Sequence, residues 1–281
     1  MKTVQCILTE FRKVVISPYF LIGVLAFALM CFTSPAYMDF SVMKQISIFE
    51  MLTMPDLRQA ENYEFSAQYV CSKGFGTWIV QFLGIIVAFP FVKVLCEERR
   101  CSEKRYIICR TGIFRYSLSK FLSAIFSAAI LCTLGYLLFS TAVYLLFPGI
   151  GEFPAEQVQM LASFRISYLK LLIETVIMGM GMSVLPFLTC VFTTNQYFCI
   201  CVPFLLQYIQ LTAANKLFID GFENYPKWQQ TLIQAIYPAS LGSLVYGLKQ
   251  GIVALLGYVW LAVAAFVLFT ISQRRCTDCG R

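Results

Sequence analysis

Long apolar runs separated by polar segments dominate the chain. Six of them are long enough to consider as membrane spans, at about 18–33, 75–96, 121–147, 168–193, 197–214 and 251–271. A helix of about 20 apolar residues crosses the hydrocarbon core of a bilayer. Lipid offers no hydrogen-bond partners, so such segments must be helical. The pattern therefore predicts an all-α polytopic membrane protein with six transmembrane helices, formed as a single transmembrane domain over residues 1–281.

Residues 1–16 follow a different pattern. Their apolar positions recur at helical spacing, and polar side chains fill the opposite face. The apolar positions are Val4, Ile7, Leu8, Phe11, Val14 and Val15. This arrangement predicts an amphipathic helix lying in the membrane interface, or one buried against other protein. No clean cleavage site follows the first apolar run, so we expect the span at 18–33 to be retained.

The connecting segments differ in length and charge. Residues 34–74 form a long polar segment that we expect to contain short helices of its own. Residues 97–120 are rich in charge, whereas Thr194, Asn195 and Gln196 alone separate the fourth and fifth runs and predict an antiparallel hairpin. Residues 215–250 are of mixed polarity, and we expect a re-entrant segment there, before the last span.

Basic residues near the ends of the spans predict the orientation. With a cytoplasmic N-terminus, 14 of the 22 Lys and Arg residues fall in the short inner segments. The chain is therefore expected to be a multi-pass protein of the cell membrane with both termini in the cytoplasm. Residues 97–120 then lie inside, and residues 34–74 and 215–250 lie outside.

Composition agrees with this class and excludes others. The chain is 59% hydrophobic and 13% charged, against about a quarter charged in soluble domains. Most of its 12 cysteines fall in apolar runs or in predicted cytoplasmic segments, so no external disulfide framework is expected. The pair Cys276-x-x-Cys279 is half of a zinc-site pattern that no second pair or histidine completes, and we predict no metal site.

A few polar residues interrupt the apolar runs. Glu174 has Lys170 one turn before it, so the two could pair near the outer interface, or Glu174 could face a translocation path. Gln207 and Gln210 could line a dimer interface or that path, or they could join helices by hydrogen bonds.

Three stretches together resemble the permease family of ABC-2-type ABC transporters. They are the amphipathic segment 1–16, the charged segment from Glu97 to Lys120, and the segment from Trp228 to Tyr246, in which Pro238 and Gly242 interrupt a helical face. Cys101-Ser102 stands where members of the family often have Gly-Thr. The resemblance covers the layout of nearly the whole chain.

The resemblance implies a non-catalytic membrane-spanning subunit that forms a translocation path and exports a peptide, a lipid or a hydrophobic compound. Its partners would be membrane lipid, a second permease chain and a separate ATPase that holds ATP and Mg²⁺; no nucleic acid and no cofactor on this chain are expected. The chain itself has no Gly-rich phosphate loop followed by Lys and Ser or Thr.

Force from the ATPase would enter through a short helix in the 97–120 segment, with an apolar face in a groove of the partner and charges that fix the register. The expected coupling residues are Glu97, Glu98, Arg99, Arg100, Glu103, Lys104, Arg105, Ile107, Ile108 and Arg110. The alternative is that these charges only hold the segment inside by the positive-inside effect.

Three other classes remain as alternatives. An intramembrane enzyme is disfavoured because the chain has no histidine and because Ser102 stands where an Arg would follow the Glu97-Glu98 pair of a glutamic membrane protease. A secondary transporter or channel would place several ionisable groups at mid-membrane, and only Glu174 qualifies. A non-transporting scaffold or immunity protein would need only the outer segment 34–74 to bind its ligand.

Overall fold

A computed structural model describes residues 2–39, 44–53, 63–100, 103–149, 155–220, 226–236 and 239–278. Its helices are α1 (Lys2–Val15), α2 (Pro18–Phe32), α3 (Ile48–Thr53), α4 (Ala67–Lys73), α5 (Thr77–Arg100), α6 (Glu103–Thr111), α7 (Ile113–Leu146), α8 (Ala155–Phe192), α9 (Gln196–Asp220), α10 (Lys227–Ile236), α11 (Ala239–Gly242) and α12 (Lys249–Asp278). Strands β1 (Pro35–Asp39) and β2 (Lys44–Ser47) pair, and 3-10 turns cover Tyr63–Phe65 and Ser243–Tyr246.

Within the described ranges, five helices are long and apolar enough to cross a membrane: α5, α7, α8, α9 and α12. Helix α2 has 15 residues, which at 1.5 Å per residue falls short of the hydrocarbon core, about 30 Å thick. It passes the same test only together with α1, from which it is bent by 63°. The chain is therefore an α-helical, multi-pass membrane protein, and its described residues contain five or six candidate spans.

Several helices extend beyond the apolar runs that predicted them. Helix α5 continues to Arg100 and α7 begins at Ile113, so most of the charged segment 97–120 is helical. Helix α8 begins at Ala155, 13 residues before the apolar run at 168. Hydropathy locates the part of a helix that lipid can cover, but backbone hydrogen bonds continue into the polar interface wherever no residue breaks them.

The bundle has two distinct ends. At the charged end, the Arg100 guanidinium donates to the Thr194 carbonyl at 3.3 Å, which joins α5 to the turn between α8 and α9. The rings of Phe114 and Phe266 lie 5.7 Å apart there, which brings together the start of α7 and the last part of α12. The opposite end carries β1, β2, α3 and α4 and is called the hairpin end below.

The hairpin end contains the short helices expected for residues 34–74 and also an antiparallel pair of strands that was not predicted. Ile46 and Ile48 are buried there. Ser47 begins α3 with a reciprocal capping arrangement: the Ser47 amide donates to the Glu50 carboxylate at 3.1 Å, and the Glu50 amide donates to the Ser47 hydroxyl at 3.2 Å. The Ser47 amide and the Lys44 ammonium lower the pKa of Glu50.

Hydrogen bonds attach the hairpin end to the spans. The Tyr136 hydroxyl of α7 donates to the Cys71 carbonyl of α4 at 2.9 Å. The Ala67 amide donates to the Pro148 carbonyl, just beyond α7, at 3.0 Å. Both bonds are made to groups in or just beyond α7, so α4 packs on the bundle.

The core lies among α5, α7 and α8, whereas α9 and α12 lie at the edge. Within their most apolar 18-residue windows, only 22% of α9 and of α12 is buried, against 72% for α8. Large apolar side chains such as Leu205, Ile209 and Trp260 are exposed on these two helices. In water such a surface would be an aggregation liability, whereas in lipid or against a second protein it is stable.

Helix α10 packs against α12 through a close backbone contact at Gly257. A Cβ placed at Gly257 would overlap the Ala235 carbonyl oxygen of α10. A backbone atom cannot rotate out of the way, so Gly257→Ala is expected to separate the helices and destabilise the fold by about 1–3 kcal/mol. Thermal unfolding in detergent checks this, with Gly149→Ala, where a Cβ meets nothing within 4 Å, as the matched control. Equal thermal unfolding midpoints for Gly257→Ala and Gly149→Ala would contradict a close contact between Gly257 and α10.

Candidate functional site

Four charged side chains meet inside the charged end of the bundle. The Lys120 ammonium of α7 forms ion pairs with both Glu10 of α1 and Glu98 of α5. The Lys13 ammonium lies 3.3 Å from a Glu10 carboxylate oxygen and 3.1 Å from a Glu98 carboxylate oxygen. Each cation therefore contacts both carboxylates, and the cluster as a whole is neutral.

Burial makes this charge cluster a structural joint. The side chains of Glu10, Glu98 and Lys120 are only 5%, 10% and 5% exposed, whereas that of Lys13 is 42% exposed. Charges taken out of water are stable only when opposite charges and hydrogen bonds replace the lost hydration. The cluster therefore holds the amphipathic helix α1 against α5 and α7 at one position.

Helix α6 lies directly beside this joint, between the end of α5 and the start of α7. Gly112 separates α6 from α7 with φ of +84°, a backbone conformation that other residues adopt only with strain. Ile108 anchors α6, since it is 4% exposed and belongs to the hydrophobic core. On the opposite side Tyr106 is 78% exposed. One face of α6 is thus fixed to the bundle while the other is open.

A cavity of about 510 Å³ lies between α1 and α6. Glu10 and Lys13 of the charge cluster line it, together with Ile107, Arg110 and, from the start of α7, Arg115. The cavity combines basic groups with apolar surface. A protein segment with acidic and apolar side chains has complementary chemistry for such a cleft.

The structure distributes the predicted coupling residues over several contacts. Glu97 is exposed and lies 3.7 Å from the Lys93 ammonium, whereas Glu98 belongs to the buried cluster. Arg99 donates to the carbonyls of Cys190 and Val191, and Arg100 donates to that of Thr194. Carbonyls in the last turn of a helix have no partner within the helix and attract cations. Arg99 and Arg100 therefore connect α5 to the end of α8.

The remaining predicted coupling residues belong to α6. Ile107 and Arg110 line the cavity, while Ile108 faces the core of the chain itself. Glu103, Lys104 and Arg105 form the first turn of α6, but their side chains lie outside the described residues. Among the described side chains of α6, Tyr106 and Ile107 thus leave apolar surface accessible, whereas Ile108 is turned inward.

Two of the three residues considered for a translocation path, Glu174 and Gln207, lie in helix contacts. Glu174 of α8 packs on Gly242, since a Cβ there would overlap its carboxylate. Gln207 is 2% exposed; its amide packs on Gly84 of α5 and donates to the Met182 sulfur at 3.2 Å. Gln210, one turn further along α9, is half-buried.

Lys170, the residue considered as a partner of Glu174, lies over an aromatic ring. The Lys170 ammonium is 5.7 Å from the centre of the Tyr246 ring, within the range of a cation–π interaction. Tyr246 belongs to the turn that precedes α12, and Gly242, which carries the Glu174 contact, ends α11. Lys170 and Glu174 thus each contact the segment between α10 and α12.

The sequence analysis missed the joint because its members lie in segments assigned separately. Glu10 and Lys13 are three residues apart on α1, which places them on one face of a helix. Lys120 was assigned to the end of a loop, whereas it lies two turns inside α7. If the sequence analysis had begun this helix at Ile113, the position of Lys120 two turns inside it would have indicated a buried partner. Only the fold identifies Glu10 and Glu98 as those partners.

Comparisons with protein-family models and with characterised proteins give no match for this chain. Its function is therefore inferred from the arrangement of these residues and from the resemblance of its layout.

Proposed function

We propose that this chain is the membrane-spanning permease subunit of an ABC transporter, coupled to a separate cytosolic ATPase through α6. The observation that carries the proposal is the position of α6. It is a short helix at the end of the bundle, fixed on one face by Ile108, exposed on the other at Tyr106, and joined to a long span through Gly112.

The charge cluster gives this helix a mechanical connection to the bundle. Helices α5 and α7 flank α6 in sequence, and Glu98 and Lys120 join these two spans directly beside it. Movement of α6 would therefore displace both spans and α1 together, since breaking a buried ion pair costs several kcal/mol. Arg99 would carry the displacement to the end of α8, through the Cys190 carbonyl. This is the behaviour required of a subunit that converts ATPase closure into movement of the spans.

A single chain is too small to enclose a path for a large substrate, so we propose that two permease chains pair. The apolar faces of α9 and α12, where exposed Leu205, Ile209 and Trp260 lie, offer surface for the second chain as well as for lipid. The substrate class is a peptide, a lipid or a hydrophobic compound, and the direction is export. ATP and Mg²⁺ belong to the partner, and the chain itself has no catalytic role.

The natural exposed thiol of Cys109 in α6 provides the test. The chain is expressed together with its genomically adjacent ATPase, if one is encoded, and membranes are treated with a thiol-to-amine cross-linker. Cross-linking to the ATPase is expected, and Cys109→Ser is expected to remove it. An impermeant maleimide should label Cys109 only after the membrane is permeabilised.

Three results would contradict the proposal. Labelling of Cys109 from outside intact cells would place α6 on the wrong side of the membrane. Nucleotide-independent transport by the purified chain would instead support a secondary transporter or channel. A scaffold or immunity protein would be indicated if α6 were dispensable for activity, whereas in the permease its removal should leave ATP hydrolysis without transport.

A further inference from the structure

Three cysteine thiols from three different helices meet at the charged end of the bundle. Cys96 belongs to α5, Cys190 to α8 and Cys199 to α9, and their sulfur atoms all lie within 4.8 Å of one another. All three side chains are fully buried. Among the residues that the structure describes, these three form the one group of Cys, His, Asp or Glu side chains close enough together to hold a metal ion.

The spacing of these sulfurs suits thiolate coordination. Three thiolates around one metal ion, with bonds of about 2.3 Å, lie roughly 3.8–4.0 Å from one another. No sulfur–sulfur separation in the cluster exceeds 4.8 Å, so side-chain rotations of small amplitude would complete it. If these buried cysteines were close only by chance, their thiols would not be expected to converge on one point from three different helices.

The charges around the cluster favour a cation with three thiolates. Arg99 donates to the carbonyl of Cys190 itself, and Arg100 donates to the carbonyl of Thr194 in the turn between α8 and α9. A monovalent ion bound by three thiolates has a charge of −2, which two guanidinium groups nearby would balance. Nearby cations also favour the thiolate, which is the form that binds metals.

We propose that Cys96, Cys190 and Cys199 form a binding site for a thiophilic d¹⁰ metal ion, best matched by copper(I). Soft thiolate ligands select copper(I) and zinc over harder ions. Copper(I) is satisfied by three sulfurs, whereas zinc requires a fourth ligand. Binding would form three metal–sulfur bonds and release up to three thiol protons, including the one that Cys199 donates to the Thr193 carbonyl at 3.6 Å. No electron is transferred.

Metal binding at this point would add metal–sulfur links among three helices that packing and hydrogen bonds now hold together. The cluster lies within one turn of Arg99, which connects α5 to the end of α8. An ion there would hold α5, α8 and α9 together at the end of the bundle where α6 is attached. The site would thus stabilise the fold and restrict movement of these helices, and this role does not depend on the proposed permease function.

Copper(I) uptake by the purified, fully reduced chain tests the site. The parent variant carries Cys276→Ser and Cys279→Ser, which removes the tail pair. It is titrated anaerobically against a chromophoric copper(I) chelator, and a zinc indicator serves in a parallel titration. One copper(I) per chain is expected, together with a higher thermal unfolding midpoint. Changing Cys96, Cys190 and Cys199 to serine should abolish both effects.

A matched triple variant controls for the general presence of buried thiols. Cys31, Cys71 and Cys132 are also buried, in the core toward the hairpin end, and their replacement by serine should leave one copper(I) per chain. X-ray absorption of the parent chain should show three sulfur neighbours, which avoids any dependence on the folding of the variants. Zinc bound by the same three sulfurs and a fourth, oxygen ligand would support the site with zinc as its ion.

Three results would overturn the proposal. They are no stoichiometric uptake of either metal, uptake that survives the loss of Cys96, Cys190 and Cys199, and a nitrogen or oxygen shell without sulfur. None of these bears on the ATPase, so failure of the metal site is distinguishable from failure of the proposed transport function.

Discussion

Replacement of Lys120 by methionine is expected to lower the free energy of unfolding by about 3–5 kcal/mol. Lys120 is the buried cation that contacts both Glu10 and Glu98. Without it, two buried carboxylates face each other with Lys13 as their remaining cation. Methionine keeps much of the volume of the lysine side chain, so the loss of stability measures the cost of leaving a buried carboxylate uncompensated. The measurement is equilibrium unfolding in mixed detergent micelles.

A second substitution separates charge from packing. Glu98→Gln removes one carboxylate, and alone it should destabilise the chain because the cluster then has an excess of positive charge. Combined with Lys120→Met it leaves Glu10 paired with Lys13, so the double variant should be more stable than the sum of the two single effects predicts. Strict additivity would contradict the role of the cluster as one electrostatic unit.

A solvent-exposed ion pair provides the reference for Lys120. Lys44 lies 3.3 Å from Glu50 at the hairpin end, and both side chains are substantially exposed, at 57% and 39%. Pairs of this kind contribute about 0–1 kcal/mol, so Lys44→Met should leave the unfolding midpoint nearly unchanged. A loss for Lys44→Met as large as that for Lys120→Met would show that burial is not the cause.

Tyr106→Ala is expected to weaken binding of the ATPase by about 30-fold, which corresponds to about 2 kcal/mol. Tyr106 is the most exposed large hydrophobic side chain among the described residues of α6. Exposed aromatic residues are frequent centres of binding energy in protein interfaces. The side chain contacts solvent, so its removal should leave the fold unchanged. Affinity of the detergent-purified chain for the proposed ATPase, with transport in reconstituted vesicles, measures the effect.

Tyr144→Ala is the matched control for Tyr106→Ala. Tyr144 is 47% exposed but lies near the hairpin end of α7, where a cytosolic ATPase cannot reach in the proposed orientation. The Tyr144→Ala variant should bind the proposed ATPase as tightly as the unmodified chain does. If Tyr144→Ala weakened binding and Tyr106→Ala did not, the orientation of the chain would be the reverse of the one proposed.

The limits of sequence reasoning are clearest at the ends of the spans. The apolar run from Phe121 predicted a helix, but nothing in it indicated that α7 begins at Ile113. The β1–β2 pair was missed because short polar strands give a weak periodicity, and their pairing depends on the surface of α3 and α4. The length of the 34–74 segment nevertheless predicted the short helices correctly.

The candidate site shows the same division. The charged segment 97–120 and the amphipathic segment 1–16 were both identified by their composition and spacing. Their connection through Glu10, Glu98 and Lys120 was not identified, because these residues are up to 110 positions apart. Ile108 was expected to face a partner, but it is buried in the core of the chain. A short helix with apolar residues on more than one face does not specify which of them turns inward.

The sequence by itself determined that this protein is helical and spans a membrane several times, since runs of apolar residues can be stable in lipid only as hydrogen-bonded helices. It also identified the charged segment that separates two of the spans. Only the tertiary structure decided which charges are buried together, which face of α6 is open, and that three cysteines from three helices meet. These facts depend on how helices pack side by side, and such packing is set by contacts between residues far apart in the chain.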